Sequence, residues 1–259
     1  MDNITAVLEK MLGPGPFLEF LAHVGTFAGA ISGVRLASAK HFDWFGAYVI
    51  GFVTTLGGGT LRDMLMQKSP FWMEDPMYLI TTFLAVIAIA VFGRRFISEQ
   101  VTWFIFDTIA ISIFMVIGIE KVIEAERLAA LSAGVEYTLS LKLSCWWKSI
   151  IMGVLTAVFG GVLRDICINE VPLIFRKEIY ALACAFGGVL YFLLLAFGVD
   201  ARICSVICII SIFLIRAVSI KYKLGVPVLT GRRAIHLPHI HHHHKSHHAG
   251  GKTHEDTKH

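Results

Sequence analysis

Apolar residues in this chain come in unbroken runs, with neither the alternation of a strand nor the three-to-four spacing of a soluble amphipathic helix. Seven runs can be read, approximately Phe17–Leu36, Phe42–Leu61, Met77–Gly93, Val101–Ile119, Ser149–Leu163, Ile179–Val199 and Ile203–Ile220. A helix needs roughly 20 predominantly apolar residues to cross a hydrocarbon core, and several runs reach that length. The sixth carries no charge from Ile179 to Val199, whereas the third and fifth are short and the fifth continues through Arg164. Lipid offers no partner to backbone N–H and C=O groups, so such runs must be helical. A barrel would show short segments of alternating polarity instead. The pattern therefore predicts an all-α membrane protein with seven transmembrane helices.

The runs are duplicated. Gly58-Gly59-Thr60-Leu61-Arg62-Asp63, followed by Pro70, recurs as Gly160-Gly161-Val162-Leu163-Arg164-Asp165, followed by Pro172, and Trp44 and Trp146 keep the same offset of 102. The two copies end helices 2 and 5. Three spans separate them, an odd number, so the copies run in opposite directions across the bilayer. Helices 1–3 and 4–6 then form a 3+3 inverted repeat, with helix 7 left over, an arrangement that in transport folds puts the site at the repeat interface. Gly33 and Gly118 match better at an offset of 85, which puts 17 extra residues in the second copy, within Glu120–Lys148. There Glu124–Leu143 reads as an extension of helix 4 or an interfacial helix. The predicted organisation is an N-terminal segment (1–16), a first repeat (17–95), a second repeat (100–200) with a long 4–5 loop at 120–148, a seventh helix (203–222) and a His-rich tail (235–259).

Composition sharpens this. Of 259 residues 56% are hydrophobic and 16% charged, and the mean hydropathy is +0.68; soluble domains carry about 25% charged residues. The start Met1-Asp2-Asn3 and the lack of a small-residue cleavage site argue for a retained first helix. One side would hold Lys10, Lys68, Lys121, Arg127, Lys142, Lys148 and Arg202, four of them in the long loop. The other holds Arg35, Lys40, Arg94, Arg95, Arg176, Lys177, Lys221, Lys223, Arg232 and Arg233, nearly all in short loops or near helix ends. Short-loop Lys and Arg decide orientation, so the N-terminus is expected outside and the C-terminus in the cytoplasm. Cys145, Cys167, Cys184, Cys204 and Cys208 form no CxxC pattern and read as small packing residues. No nucleophile–base constellation, phosphate loop or dinucleotide fingerprint occurs, so neither an enzyme, a cofactor nor a nucleic-acid partner is expected.

The candidate chemistry lies on the repeat. Gly57, Gly58 and Gly59 in helix 2, and Gly160 and Gly161 in helix 5, each cost roughly 1 kcal/mol of helix propensity. They invite a kink or unwinding that would free carbonyls to coordinate a cation. The bland reading is close helix packing, which suits the small face Gly25, Gly29 and Gly33 of helix 1. Thr54, Thr55, Thr60 and Thr156 could line a polar path or simply bond back to their own helices. Arg62-Asp63 and Arg164-Asp165 are i, i+1 neighbours that diverge by about 100° on a helix, so each Arg is expected to pair with something other than its own Asp. A reciprocal pairing, Arg62 with Asp165 and Arg164 with Asp63, is one version; snorkelling helix-end anchors is the other reading. Asp107 is a lone carboxylate inside helix 4, expected as a cation site, a protonated acid or the partner of an Arg on another helix, with a role in the pathway or its gating. Glu19 and His23, at i, i+4 on helix 1, read as wet end residues, and Arg216 as an interface anchor of helix 7. The tail carries His241, His242, His243 and His244, weak candidates for Zn²⁺ or Ni²⁺ with inert solubility the plainer role.

The repeated Gly-Gly-x-Leu-Arg-Asp with its following Pro, on helices 2 and 5 of a seven-helix chain, resembles the prokaryotic branch of the trimeric intracellular cation channel family over roughly residues 18–220. The segment from Asp107 to Gly118 is similar to helix 4 of that family. The resemblance implies a 3+3 inverted repeat plus a seventh helix, assembled as a homotrimer in the plasma (inner) membrane. Each protomer would carry its own pore, bounded by helices 2 and 5 kinked at Gly57–Gly59 and at Gly160 and Gly161, and would pass K⁺ in preference to Na⁺. Phe159 stands where the first copy has Gly57, which implies a milder kink there. The basic lipid-binding segments of the animal channels are not recognisable. Some bacterial relatives are described instead as glycine transporters, and an inverted repeat suits alternating access as well as a static pore. A membrane metal-handling protein is a third reading, resting on the tail alone.

Overall fold

The computed structural model describes residues 14–97, 100–176 and 179–225. Seven long helices occur among them: α1 (Pro14–Ala39), α2 (Trp44–Leu65), α3 (Met77–Ile97), α4 (Gln100–Ser132), α5 (Trp146–Cys167), α6 (Ala181–Ala196) and α7 (Ala201–Lys221). Short helical turns at Phe71–Glu74, Leu139–Ser144 and Leu173–Phe175 sit in the connections. Five helices, α1, α2, α4, α5 and α7, are long and apolar enough to cross a membrane, while the apolar stretches Met77–Phe92 and Ala181–Ala196 are shorter. The tail histidines 241–244 lie outside the described residues.

Local chemistry sets the helix ends. The Asp43 carboxylate caps α2 by accepting from the Gly46 N–H at 2.7 Å, and Asp200 caps α7 by accepting from Arg202 N–H at 2.9 Å, each satisfying an orphan donor of a first turn. The exits from α2 and α5 are copies of one another. Gln67 (φ 55°) and Asn169 (φ 57°) both take the left-handed conformation. Lys68 N–H then donates to the Asp63 carbonyl at 2.9 Å and Glu170 N–H to the Asp165 carbonyl at 2.8 Å, closing each helix, with Asn169 a residue type that tolerates positive φ.

At the centre α1, α2, α5 and α4 form a ring in which each helix packs on two neighbours, and α3 lies against α1 and α2. In the second half α7 packs against both α4 and α6, and the direct contact between α4 and α6 is slight. The leftover helix thus occupies the place where α3 meets α1 in the first half. The 33 residues of α4 span about 50 Å at 1.5 Å per residue, well beyond a hydrocarbon core of roughly 30 Å. The segment predicted as an extension or an interfacial helix therefore continues α4 as far as Ser132. Its outer turns carry the exposed pairs Arg127–Glu124 (2.9 Å) and Lys148–Glu126 (2.6 Å).

Candidate functional site

The glycine doublets mark the point where α2 and α5 touch. A Cβ built on Gly58 would run into the Thr156 carbonyl oxygen, and one on Gly160 into the Thr54 carbonyl oxygen. Residues 58 and 160, and 54 and 156, are repeat equivalents, so the contact is its own exchange image. The pairings 58 with 156 and 54 with 160 also make the crossing antiparallel. Both helices run unbroken through their glycines, so of the kink or unwinding expected from the sequence the unwinding does not occur. Removing Cβ atoms here brings two backbones together, as in close membrane helix packing.

The four threonines bond back to their own helices: Thr54 to Ile50 O (2.6 Å), Thr55 to Gly51 O (3.1 Å), Thr60 to Leu56 O (2.7 Å) and Thr156 to Met152 O (2.6 Å). Each hydroxyl proton is spent on a carbonyl of its own helix, and the Thr54 and Thr156 oxygens lie against Gly33 of α1 and Gly118 of α4. The Thr60 oxygen accepts from Trp72 Nε1 at 2.9 Å.

The charges follow the expectation only in part: both arginines bind their own Asp, and Arg164 alone also reaches a carboxylate on another helix. Arg62 Nε donates to its own neighbour Asp63 at 2.8 Å, and Arg164 Nε to Asp165 at 2.9 Å. No crossed pair forms between the repeats among the described residues. The 100° divergence of adjacent positions applies at Cβ, and the long Arg stem bends back across it. Nor do the arginines snorkel, for Arg62 is 2% exposed and Arg164 fully buried. The second oxygen of each Asp binds the chain that follows: Asp63 Oδ2 accepts from Phe71 N–H (3.0 Å) and Asp165 Oδ2 from Leu173 N–H (3.1 Å). Each Arg–Asp pair therefore folds its own connector back over the helix end, with Pro70 and Pro172 starting the returning turn.

At the Arg164 end the pair belongs to a larger cluster. Arg164 Nη1 donates to Asp107 Oδ1 (3.0 Å) and to Ser32 Oγ (3.1 Å), and Arg216 Nη1 donates to Asp107 Oδ2 (3.0 Å). Four helices, α1, α4, α5 and α7, thus supply one network. Two arginines and two aspartates make it formally neutral, which lets it sit in an apolar interior at all. Aromatic faces complete it: the Arg216 guanidinium lies 4.4 Å from the Tyr180 ring centre and 4.9 Å from that of Phe104. Of the three roles weighed for Asp107, the structure shows it as partner of an Arg on another helix, and of two rather than one. Arg216, read as an interface anchor, is 2% exposed and is instead that second partner. Among the described residues the Arg62 end has no equivalent of Asp107; Phe71 stacks over Arg62 at 5.7 Å.

Between the crossing and this cluster lies a cavity of about 10 Å³ lined by Gly29, Thr54, Asp107, Phe114, Gly161 and Tyr180 among others, room for a single water. The Tyr180 hydroxyl and Arg164 Nη2 are buried without a partner among the described residues. Both flank the spot left open by the missing side chain of Gly161, at 3.1 and 3.6 Å from its Cβ position. A larger groove, about 300 Å³, is bounded by Trp146, Ile150, Val189 and Phe192; it is apolar and remote from this chemistry. Sequence reasoning missed Ser32 and Tyr180 and gave Arg216 another role. The available signal was the unpaired carboxylate of Asp107, which required a cation from another helix, and Arg216 stands well inside α7.

The family model described as "Glycine transporter" matches residues 19–94 and 128–196. A UPF0126 membrane protein of Vibrio cholerae is 33% identical over 207 residues, 78% of this chain and 79% of that protein. The UPF0126 inner membrane protein YadS of Escherichia coli K12 is 34% identical over 208 residues, 79% and 92% of the two chains. Among solved structures, one described by conductance through TRIC cation channels superposes with a TM-score of 0.66 at 31% identity, covering 83% of this chain and 98% of the other. The TRIC trimeric intracellular cation channel orthologue of Rhodobacter sphaeroides gives 0.66 at 31%, covering 80% and 99%. The resemblance read from the repeated motif and these findings meet on the same family.

Proposed function

The chain belongs to the glycine transporter family, and from that membership we propose that this integral membrane protein is a channel for monovalent cations, K⁺ over Na⁺. The carrying observation is the α2–α5 crossing. It brings together two glycine-thinned backbones, with the Thr54 and Thr156 oxygens toward α1 and α4 and, across a small cavity, the one carboxylate among the described residues that reaches two arginines, in a fold superposing on TRIC cation channels. Carbonyl and hydroxyl oxygens are the ligand type a dehydrated cation takes, and Arg164 Nη2 and the Tyr180 hydroxyl, unpartnered among the described residues, stand beside them at Gly161. The pore is bounded by α2 and α5 of each protomer, with Thr54, Thr55, Thr60 and Thr156 along it. The Asp107–Arg164–Arg216 network acts as its gate at the Arg164 end, where the cavity admits one water only. Seven spans, a 3+3 inverted repeat, a homotrimer and a bacterial inner membrane with the C-terminus inside complete the proposal.

The family description favours a second reading, glycine transport by alternating access, for which the self-exchanging crossing would serve as a rocking point. The two readings part in proteoliposomes. A channel gives K⁺ flux that stays proportional to the gradient and exceeds Na⁺ flux. Saturable uptake of labelled glycine without electrical conductance would replace the channel with the transporter.

A further inference from the structure

We propose that Glu19, His23 and Asp75 form a binding site for a divalent transition-metal ion, Zn²⁺ as the best fit, at the Arg62 end of the helix ring. Glu19 and His23 share one face of α1 at i, i+4, and Asp75 comes from the connector between α2 and α3. One ligand atom from each lies within 4.8 Å of the other two. His23 Nε2 and Asp75 Oδ2 stand 3.9 Å apart. Two ligands of one tetrahedral Zn²⁺, each at roughly 2.0–2.2 Å, stand about 3.3–3.6 Å apart, so this pair has to close by a few tenths of an ångström. Glu19, the exposed member, closes the triangle by a rotamer change.

The surrounding bonds aim these atoms at one another. The Thr81 hydroxyl gives its only proton to the Met77 carbonyl at 2.8 Å, so at His23 Nδ1, 3.4 Å away, its oxygen is the acceptor and Nδ1 carries the hydrogen. Nε2 then presents its lone pair to Asp75, the tautomer a metal requires, held from behind as ligating imidazoles are. Asp75 Oδ1 is occupied by the Met77 N–H at 2.9 Å, which leaves Oδ2 for the shared centre. Three acceptors therefore converge with no donor between them, and one imidazole with two carboxylates suits a borderline divalent ion. Three protein ligands leave a fourth position open to solvent.

The site is linked to the charges at the end of α2. Tyr78 stacks on His23 (4.6 Å, 24° between planes) and meets Phe71 edge-on at 4.6 Å, and Phe71 covers Arg62. A bound ion would tie α1 to the connector that closes α2. This is separate from what passes through the pore, and its readout contains no flux.

Isothermal titration of the full chain with Zn²⁺ tests it. In every sample the histidines other than His23 and His41, all of which fall within residues 235–259, are replaced by Asn so that the tail contributes nothing. One Zn²⁺ per chain is expected. His23→Gln and Asp75→Asn should each weaken it at least about ten-fold, the loss typical even of outer-shell partners. Should either variant fail to fold, Glu19→Gln at the exposed edge carries the same test. No stoichiometric binding to the otherwise native chain, or equal affinity in the folded variants, would overturn the proposal.

Discussion

Replacing Asp107 by Asn removes one charge from a network that is neutral only while all four members are ionised. Asp107 is 3% exposed and receives Arg164 and Arg216, each at 3.0 Å. Asn keeps the shape and one acceptor oxygen, but two buried guanidinium groups are left facing the single carboxylate of Asp165. Removing one partner of a buried ion pair costs about 3–5 kcal/mol. Because half of the acceptor capacity survives, the lower figure applies, about 3 kcal/mol. For a chain of this size that corresponds to a fall in thermal midpoint of roughly 6–12 °C. The assay is thermal unfolding in detergent, followed through a double-mutant cycle with Arg216→Gln. Once Arg216 is gone the loss of Asp107 matters less, so the double variant should be more stable than the sum of the singles by at least about 1 kcal/mol. A midpoint within 2 °C of the native chain's, or additive singles (for both, roughly the scatter expected of independent sites), would refute the claim that Asp107 is the shared partner of two arginines.

Gly58→Ala and Gly160→Ala should each lower the thermal midpoint by about 2 kcal/mol equivalent or more, since the added methyl meets a backbone carbonyl that cannot step aside. Gly57→Ala meets the end of the flexible Leu163 side chain at 2.9 Å and the Gly160 Cα at an ordinary contact distance of 3.6 Å and gains helix propensity, so its midpoint should stay near the native value. A hydrogen bond from Lys40 at 2.6 Å, together with its charge, holds the Glu170 carboxyl below the ordinary 4.5. A depressed carboxylate adds stability above its unfolded pKa and loses it as pH falls through the folded one, so any benefit disappears below that ordinary value. The pair is exposed, and Glu170→Gln should shift midpoints only at low salt and only above that pH; a shift persisting in high salt would contradict the screening argument.

Much of the fold could be read from the chain because lipid leaves few choices. Apolar runs must be helices, and the Gly-Gly-x-Leu-Arg-Asp repeat marked the two that cross. The site was less legible, for reasons particular to each residue. A glycine doublet tells that Cβ atoms are unwelcome, and both an unwound helix and a tight crossing require that; only the Thr156 and Thr54 carbonyls decide between them. The spacing of Arg62 and Asp63 describes where side chains leave the helix, and a guanidinium three methylenes away is free to return. Arg216 lies 109 positions from Asp107 on the helix outside the repeat, where no symmetry argument could reach it. The same helix accounts for the unequal contacts of the two halves, since α7 stands where a copy of the α1–α3 packing would be.

The central claim is that cations pass where α2 crosses α5. Its most direct test is single-channel recording of the purified chain carrying Thr54→Cys, in a Cys167→Ser background that removes the exposed native thiol. A cationic thiol reagent should block the K⁺ current irreversibly in this variant and leave the background protein conducting. Undiminished current after the reagent has demonstrably modified the introduced thiol would contradict a pore at that crossing.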